Sequence, residues 1–74
     1  MNNIIEDIWV ECITLALFYR KNKPFLYAQA VHMVEEPLRE RFERDPSKYA
    51  QPFFIDVGSQ LQKLAQEKIN ETLR

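Results

Sequence analysis

The stretch Ile4-Ile5-Glu6-Asp7-Ile8-Trp9-Val10-Glu11-Cys12-Ile13-Thr14-Leu15-Ala16-Leu17-Phe18-Tyr19 carries the reading of the fold. Ile5, Ile8, Trp9, Cys12, Ala16 and Tyr19 recur at steps of three and four, the period of one helix face rather than the alternation of a strand. Ile4, Ile13, Leu15, Leu17 and Phe18 spread apolar surface well round the rest. Only Asp7, Glu11 and Thr14 make a clear polar stripe, with Glu6 beside it. A helix that is apolar nearly all round belongs in a core or in an interface. Asn2 or Asn3 is suited to cap its start, and Glu6 and Asp7 complement the positive end of its dipole. At the other end Arg20-Lys21-Asn22-Lys23 sets cations beside the last carbonyls.

Working outward, Pro24 forbids continuation and also suits an early position of a second helix, with Asn22 or Lys23 as its cap. That helix is expected over about Phe25 to Glu35, again mostly apolar through Leu26, Tyr27, Ala30, Val31, Met33 and Val34. Pro37 punctuates the chain next. Leu38 and Phe42 form an i,i+4 apolar pair, while Arg39, Glu40, Arg41, Glu43 and Arg44 read as a solvated face. Asp45-Pro46 is a cap followed by a first-turn proline, which predicts one further turn over Ser47–Ala50. Pro52 should precede the last element. There Phe54, Val57, Leu61 and Leu64 step by three and four, and Ala65, Ile69 and Leu73 take over the stripe until Lys68 interrupts the seam. A single glycine (Gly58), with no Val/Ile/Thr-rich alternation, leaves a sheet without turns or strands. The expectation is an all-α fold, a compact small bundle of about four helices, with residues 1–74 as a single helical domain.

Composition limits the function classes. The 74 residues are 46% apolar and 28% charged, with ten Lys/Arg against eleven Asp/Glu. That balance removes the overall field a nucleic-acid binder relies on. A chain this short buries only about 60% of its unfolded surface, and its core supplies about 3–5 kcal/mol. It therefore needs dense packing, a staple or a partner. One cysteine cannot form an internal disulfide, whereas nine aromatic residues offer large areas for burial. Met1–Asp7 holds no basic residue and so lacks the charged start of a secretory signal. The apolar run Cys12–Tyr19 is less than half a bilayer span. A cytoplasmic protein without membrane contact is expected.

Catalytic chemistry is thinly represented. A nucleophile requires an activating base and an orienting group. Cys12 falls on the apolar stripe, where a free cysteine is a small buried core residue. His32 has Glu35 and Glu36 at i+3 and i+4, yet di-metal bundles need two Glu-x-x-His pairs, and no second histidine exists. A helix-surface histidine is the expectation, with no catalytic residues, no metal and no cofactor. One glycine excludes a phosphate-binding loop. Asn70-Glu71-Thr72 matches a glycosylation sequon only by chance in a chain without a secretion signal.

Binding signals are stronger. Residues 19–27 interleave Arg20, Lys21 and Lys23 with Tyr19, Phe25 and Tyr27 at a helix–helix corner. Arginine and aromatic residues are what protein interfaces enrich. The expected function is a non-enzymatic interaction protein, an accessory or regulatory subunit that binds a protein partner through an apolar-aromatic surface. Trp9, Phe18, Tyr19, Phe25 and Tyr27 are the candidate contacts, with Arg39 and Arg41 at a polar rim. Two alternatives stay open. One is a helical nucleic-acid-binding regulator with Arg20, Lys21 and Lys23 on phosphates. The other is a structural protein that self-associates into a homodimer through its first or last helix.

Residues 20–42 also resemble a known family, the theta subunit of bacterial DNA polymerase III. Arg20-Lys21-Asn22-Lys23-Pro24 looks like that family's Arg-x-Asn-x-Pro corner. Ala28-Gln29-Ala30-Val31 resembles its Ala-rich stretch, displaced by one residue, and Leu38-Arg39-x-x-Phe42 is similar to its third segment. Phe53–Arg74 has no counterpart in it. The resemblance implies a cytoplasmic, non-catalytic helical protein that binds a proofreading exonuclease through its first two helices.

Overall fold

The computed structural model describes the backbone of residues 4–72 and the side chains from Asp7 onward. The caps expected at Asn2 or Asn3, the side chain of Ile5 and the stripe position Leu73 lie outside the described residues. Four helices follow in order: α1 (Ile4–Asn22), α2 (Pro24–Met33), α3 (Glu36–Arg44) and α4 (Pro46–Thr72). No strand occurs among the described residues, so the chain is a small all-α bundle.

The junctions are tight because prolines and caps set them. One residue, Lys23, separates α1 from α2. Its φ of −137° and ψ of 65° leave the helical region, as a following proline requires. Lys23 supplies no side-chain cap, and Asn22 turns back instead, its amide donating to the Phe18 carbonyl at 3.0 Å. Asp45 behaves as the sequence predicts. Its carboxylate accepts from the Lys48 amide at 3.3 Å and from the Ser47 hydroxyl at 3.1 Å, which satisfies one orphan donor at the start of α4.

Two boundaries differ from expectation. α2 stops at Met33 rather than Glu35, because Val34 turns extended (φ −67°, ψ 139°) and puts its side chain into the core. Pro52 does not precede the last helix. It lies inside α4, which runs unbroken through the turn expected at 47–50. The proline removes one backbone bond, to the Lys48 carbonyl. Pro52 and Lys48 both lie on the exposed side, while half-buried Tyr49 and Ala50 and buried Phe53 hold the helix on either side.

α4 is the hub and packs against each of the other three helices. Ala16, Ala30, Val34, Phe53, Val57 and Leu61 form the buried cluster. The core stripe of α4 is therefore Phe53, Val57 and Leu61 at steps of four, one residue earlier than the Phe54 start expected. Phe42 decides this: its ring stacks on Phe53 at 4.0 Å and 5°, which binds α3 to α4, while Phe54 meets both rings edge-on. On α1 the core face is Cys12 and Ala16, with Ile8 and Trp9 left 48% and 39% exposed.

The crossing of α1 and α4 depends on Gly58. A Cβ there would lie 2.5 Å from the Cys12 carbonyl oxygen and 2.7 Å from Cys12 Cα. Only hydrogen fits, so the two backbones approach more closely than any other side chain allows. Both helices run in the same direction from this point. Trp9 shares a groove with Pro52 and Ile55, and ten residues later Tyr19 shares one with Leu61 and Ile69.

Candidate functional site

The parallel run of α1 and α4 builds an apolar concavity at their C-terminal ends. Lys23 and Pro24 turn the chain away from α1, which leaves the last three turns of α4 without a neighbour on one side. The resulting groove, about 330 Å³, is walled by Tyr19, Lys23 and Leu26. Its floor is the α4 stripe Leu61, Leu64, Ala65 and Ile69, positions that share one helix face. Lys23 and Lys68 stand in its lining and no carboxylate does. Lys23 Nζ lies 5.9 Å from the centre of the Tyr19 ring, a cation–π contact that holds the ammonium at the mouth. The groove is apolar with a positive margin.

The seven aromatic and arginine candidates do not gather into one surface. Tyr19 is half-buried in this groove, and Phe18 meets its ring edge-on at 5.7 Å while remaining 54% exposed. Phe25 begins α2 at 85% exposure, on the same corner. Trp9 lies at the other end of α1, in a shallower groove with Leu38, Pro52 and Ile55. Tyr27 packs against the core and lines a third concavity with Val31, Phe42 and Phe53. Arg39 shares that third concavity and is half-buried, its Nε enclosed without a hydrogen-bond partner, so the solvated face expected over residues 39–44 excludes it. Leu38 and Phe42 turn inward on α3 and carry Arg39 with them. Arg41 is exposed.

The basic corner also divides. The Arg20 guanidinium lies 6.0 Å from the centre of the Phe54 ring, near Tyr27. Burial raises the Tyr27 pKa above its ordinary value, and the nearby Arg20 cation opposes that rise. Lys23 is held over Tyr19, and Lys21 projects to solvent on another face of α1.

Cys12 is buried at the α1–α4 crossing. Desolvation, and then the negative charge of Glu11, raise its pKa, so the thiolate is disfavoured. His32 is exposed, and no group of three metal-binding side chains occurs among the described residues. None of the described helices is long and apolar enough to cross a membrane.

The sequence pattern marks Leu64 and Ile69 only as stripe positions and Lys68 as their interruption; the fold makes all three groove residues. The signal for them was present, since Lys68 is the cation that interrupts the apolar seam of the last helix. No family model, curated protein or solved structure matches this chain significantly.

Proposed function

We propose that the protein is a non-enzymatic interaction module, an accessory or regulatory subunit, whose α1–α2 corner docks an amphipathic helix of another protein. One observation carries this reading: the groove beside Tyr19, apolar along its floor and lined by Lys23 and Lys68 with no carboxylate. A helix laid there would place apolar residues at i, i+3, i+4 and i+7 on Leu61, Leu64 and Ile69. Acidic side chains on its flank would meet the two lysines, which gives specificity more than affinity. Phe25, exposed beside Leu26 at the start of α2, supplies an aromatic anchor of the kind that dominates binding energy. The resemblance to the theta subunit falls on residues 20–42 and so includes this corner, which supports a protein as the partner.

The test is affinity capture from the host with the intact chain, followed by direct titration of the recovered partner. Ile69→Asp and Lys68→Glu, both at exposed positions, should each weaken binding at least tenfold with helicity unchanged. Retained affinity in both variants rejects the groove. Binding that falls steeply between low and moderate salt, with loss on Lys21→Ala, would instead support phosphate contacts.

A further inference from the structure

The face of α1 opposite the core carries a second surface. Cys12 and Ala16 turn inward. Half a turn away, Asp7, Val10, Thr14, Leu17 and Lys21 follow at steps of three, four, three and four, the spacing of a helix-pairing seam. All five are exposed, Val10 at 64% and Leu17 at 45%, and Phe18 flanks them at 54%. Two apolar positions on the outside of a lone helix are unremarkable, but the order of charge along this seam is not. Its N-terminal end is acidic, Asp7 with Glu11 one turn on, and its C-terminal end is basic, Lys21.

We infer that this seam pairs with the same seam of a second copy of the chain, antiparallel about a two-fold axis at Thr14. Under that symmetry each residue meets the one equally far on the other side of Thr14. Asp7 faces Lys21 of the second copy and Lys21 faces its Asp7, while Val10 packs against Phe18 at both ends. Glu11 faces Leu17 of the second copy, one turn short of its Lys21, so its stem covers the leucine while its charge faces the basic end. The opposite, parallel arrangement sets Asp7 on Asp7 and Lys21 on Lys21, so charge selects the antiparallel one. The contact is self-complementary and closes as a dimer rather than growing into a fibre.

The seam lies on a different face of α1 from the groove beside Tyr19, so the pairing does not depend on the function proposed above.

Sedimentation equilibrium of the full chain over a wide concentration range tests this. The parent should rise from 8.9 kDa toward a dimer of twice that mass. Asp7→Lys and Lys21→Glu should each weaken association by about tenfold, since two attractive contacts become repulsive. An equimolar mixture of the two variants should restore it. Leu17→Asp should leave a folded monomer by circular dichroism, and Lys68→Glu, in the groove, should leave self-association unchanged. A parent that stays monomeric at every concentration overturns the inference. So do charge variants that associate as well as the parent, or a mass beyond the dimer.

Discussion

Replacing Gly58 by alanine sets two well-understood effects against each other. Within a helix, Gly→Ala is stabilising by about 1 kcal/mol, because glycine loses more backbone freedom on folding. Position 58 is the middle of a 27-residue helix, so propensity alone predicts a more stable protein. The tertiary contact predicts the reverse. The new methyl carbon would lie 2.5 Å from the Cys12 carbonyl oxygen and 2.7 Å from Cys12 Cα and Cβ. Carbon atoms pack at about 3.5–4.0 Å, so α1 and α4 must part by about 1 Å. Two of the three obstructing atoms are backbone, so no rotamer change relieves the overlap. Overpacking of this kind costs about 1–3 kcal/mol, and a backbone obstacle belongs at the upper end. The gap it opens beside Ala16, Val57 and Leu61 adds lost contact. Subtracting the propensity gain leaves a net loss of about 2 kcal/mol, or about 8–16 °C in Tm for a domain of this length. Thermal and urea unfolding followed by circular dichroism measures it directly. Ala65→Gly, at an exposed position of the same helix, calibrates the propensity effect and should cost about 1 kcal/mol. A Gly58→Ala protein as stable as the parent, or more stable, refutes the close crossing.

Other outcomes follow from the same packing. Phe53→Ala removes the ring that stacks on Phe42 from a fully buried site; at about 3–5 kcal/mol it should leave the chain largely unfolded at room temperature, read as lost helicity. Pro52→Ala restores the backbone bond to the Lys48 carbonyl and should raise stability by about 2 kcal/mol after the unfolded chain regains freedom; a lower Tm would show that the ring is needed. Cys12 and Tyr27 are both held above their ordinary pKa values of 9.0 and 10.0, chiefly by burial. As pH rises the unfolded chain therefore gives up these protons before the folded one. Stability should be level below about pH 9 and fall above it, and the fall should be shallower in Cys12→Ala/Tyr27→Phe. An equal fall in that double variant, by urea midpoint, contradicts the assignment.

Much of the site can be traced to particular sequence features, and its gaps have physical causes. The Tyr19-to-Tyr27 corner was visible because prolines and cations mark helix ends whatever they pack against. That Arg20 turns to Phe54 and Tyr27 while Lys23 turns to Tyr19 was not visible, because those rings come from the fold and from local geometry together. Lys68 could be seen to break an apolar seam, but a seam has meaning only once its neighbour is known. Tyr19, Lys23 and Leu26 supply one wall of that groove across about 40 residues of chain.

What this sequence determined alone is local: four helices, the junctions at Lys23 and Asp45, a buried cysteine, an amphipathic last helix. These depend on period, capping and proline geometry, which act within a few residues. Tertiary structure decided which apolar residues are core, through contacts between segments far apart in the chain. The Phe42–Phe53 stack makes Phe53 rather than Phe54 the first buried position of the α4 stripe, while Val57 and Leu61 keep their places, and flanking core contacts carried the helix through Pro52. The one glycine, uninformative in the sequence beyond its scarcity, became the point where two backbones meet. Once that crossing directs α1 and α4 side by side, the apolar surface of the first helix divides between a groove at one end and exposed Val10 and Leu17 on its outer face.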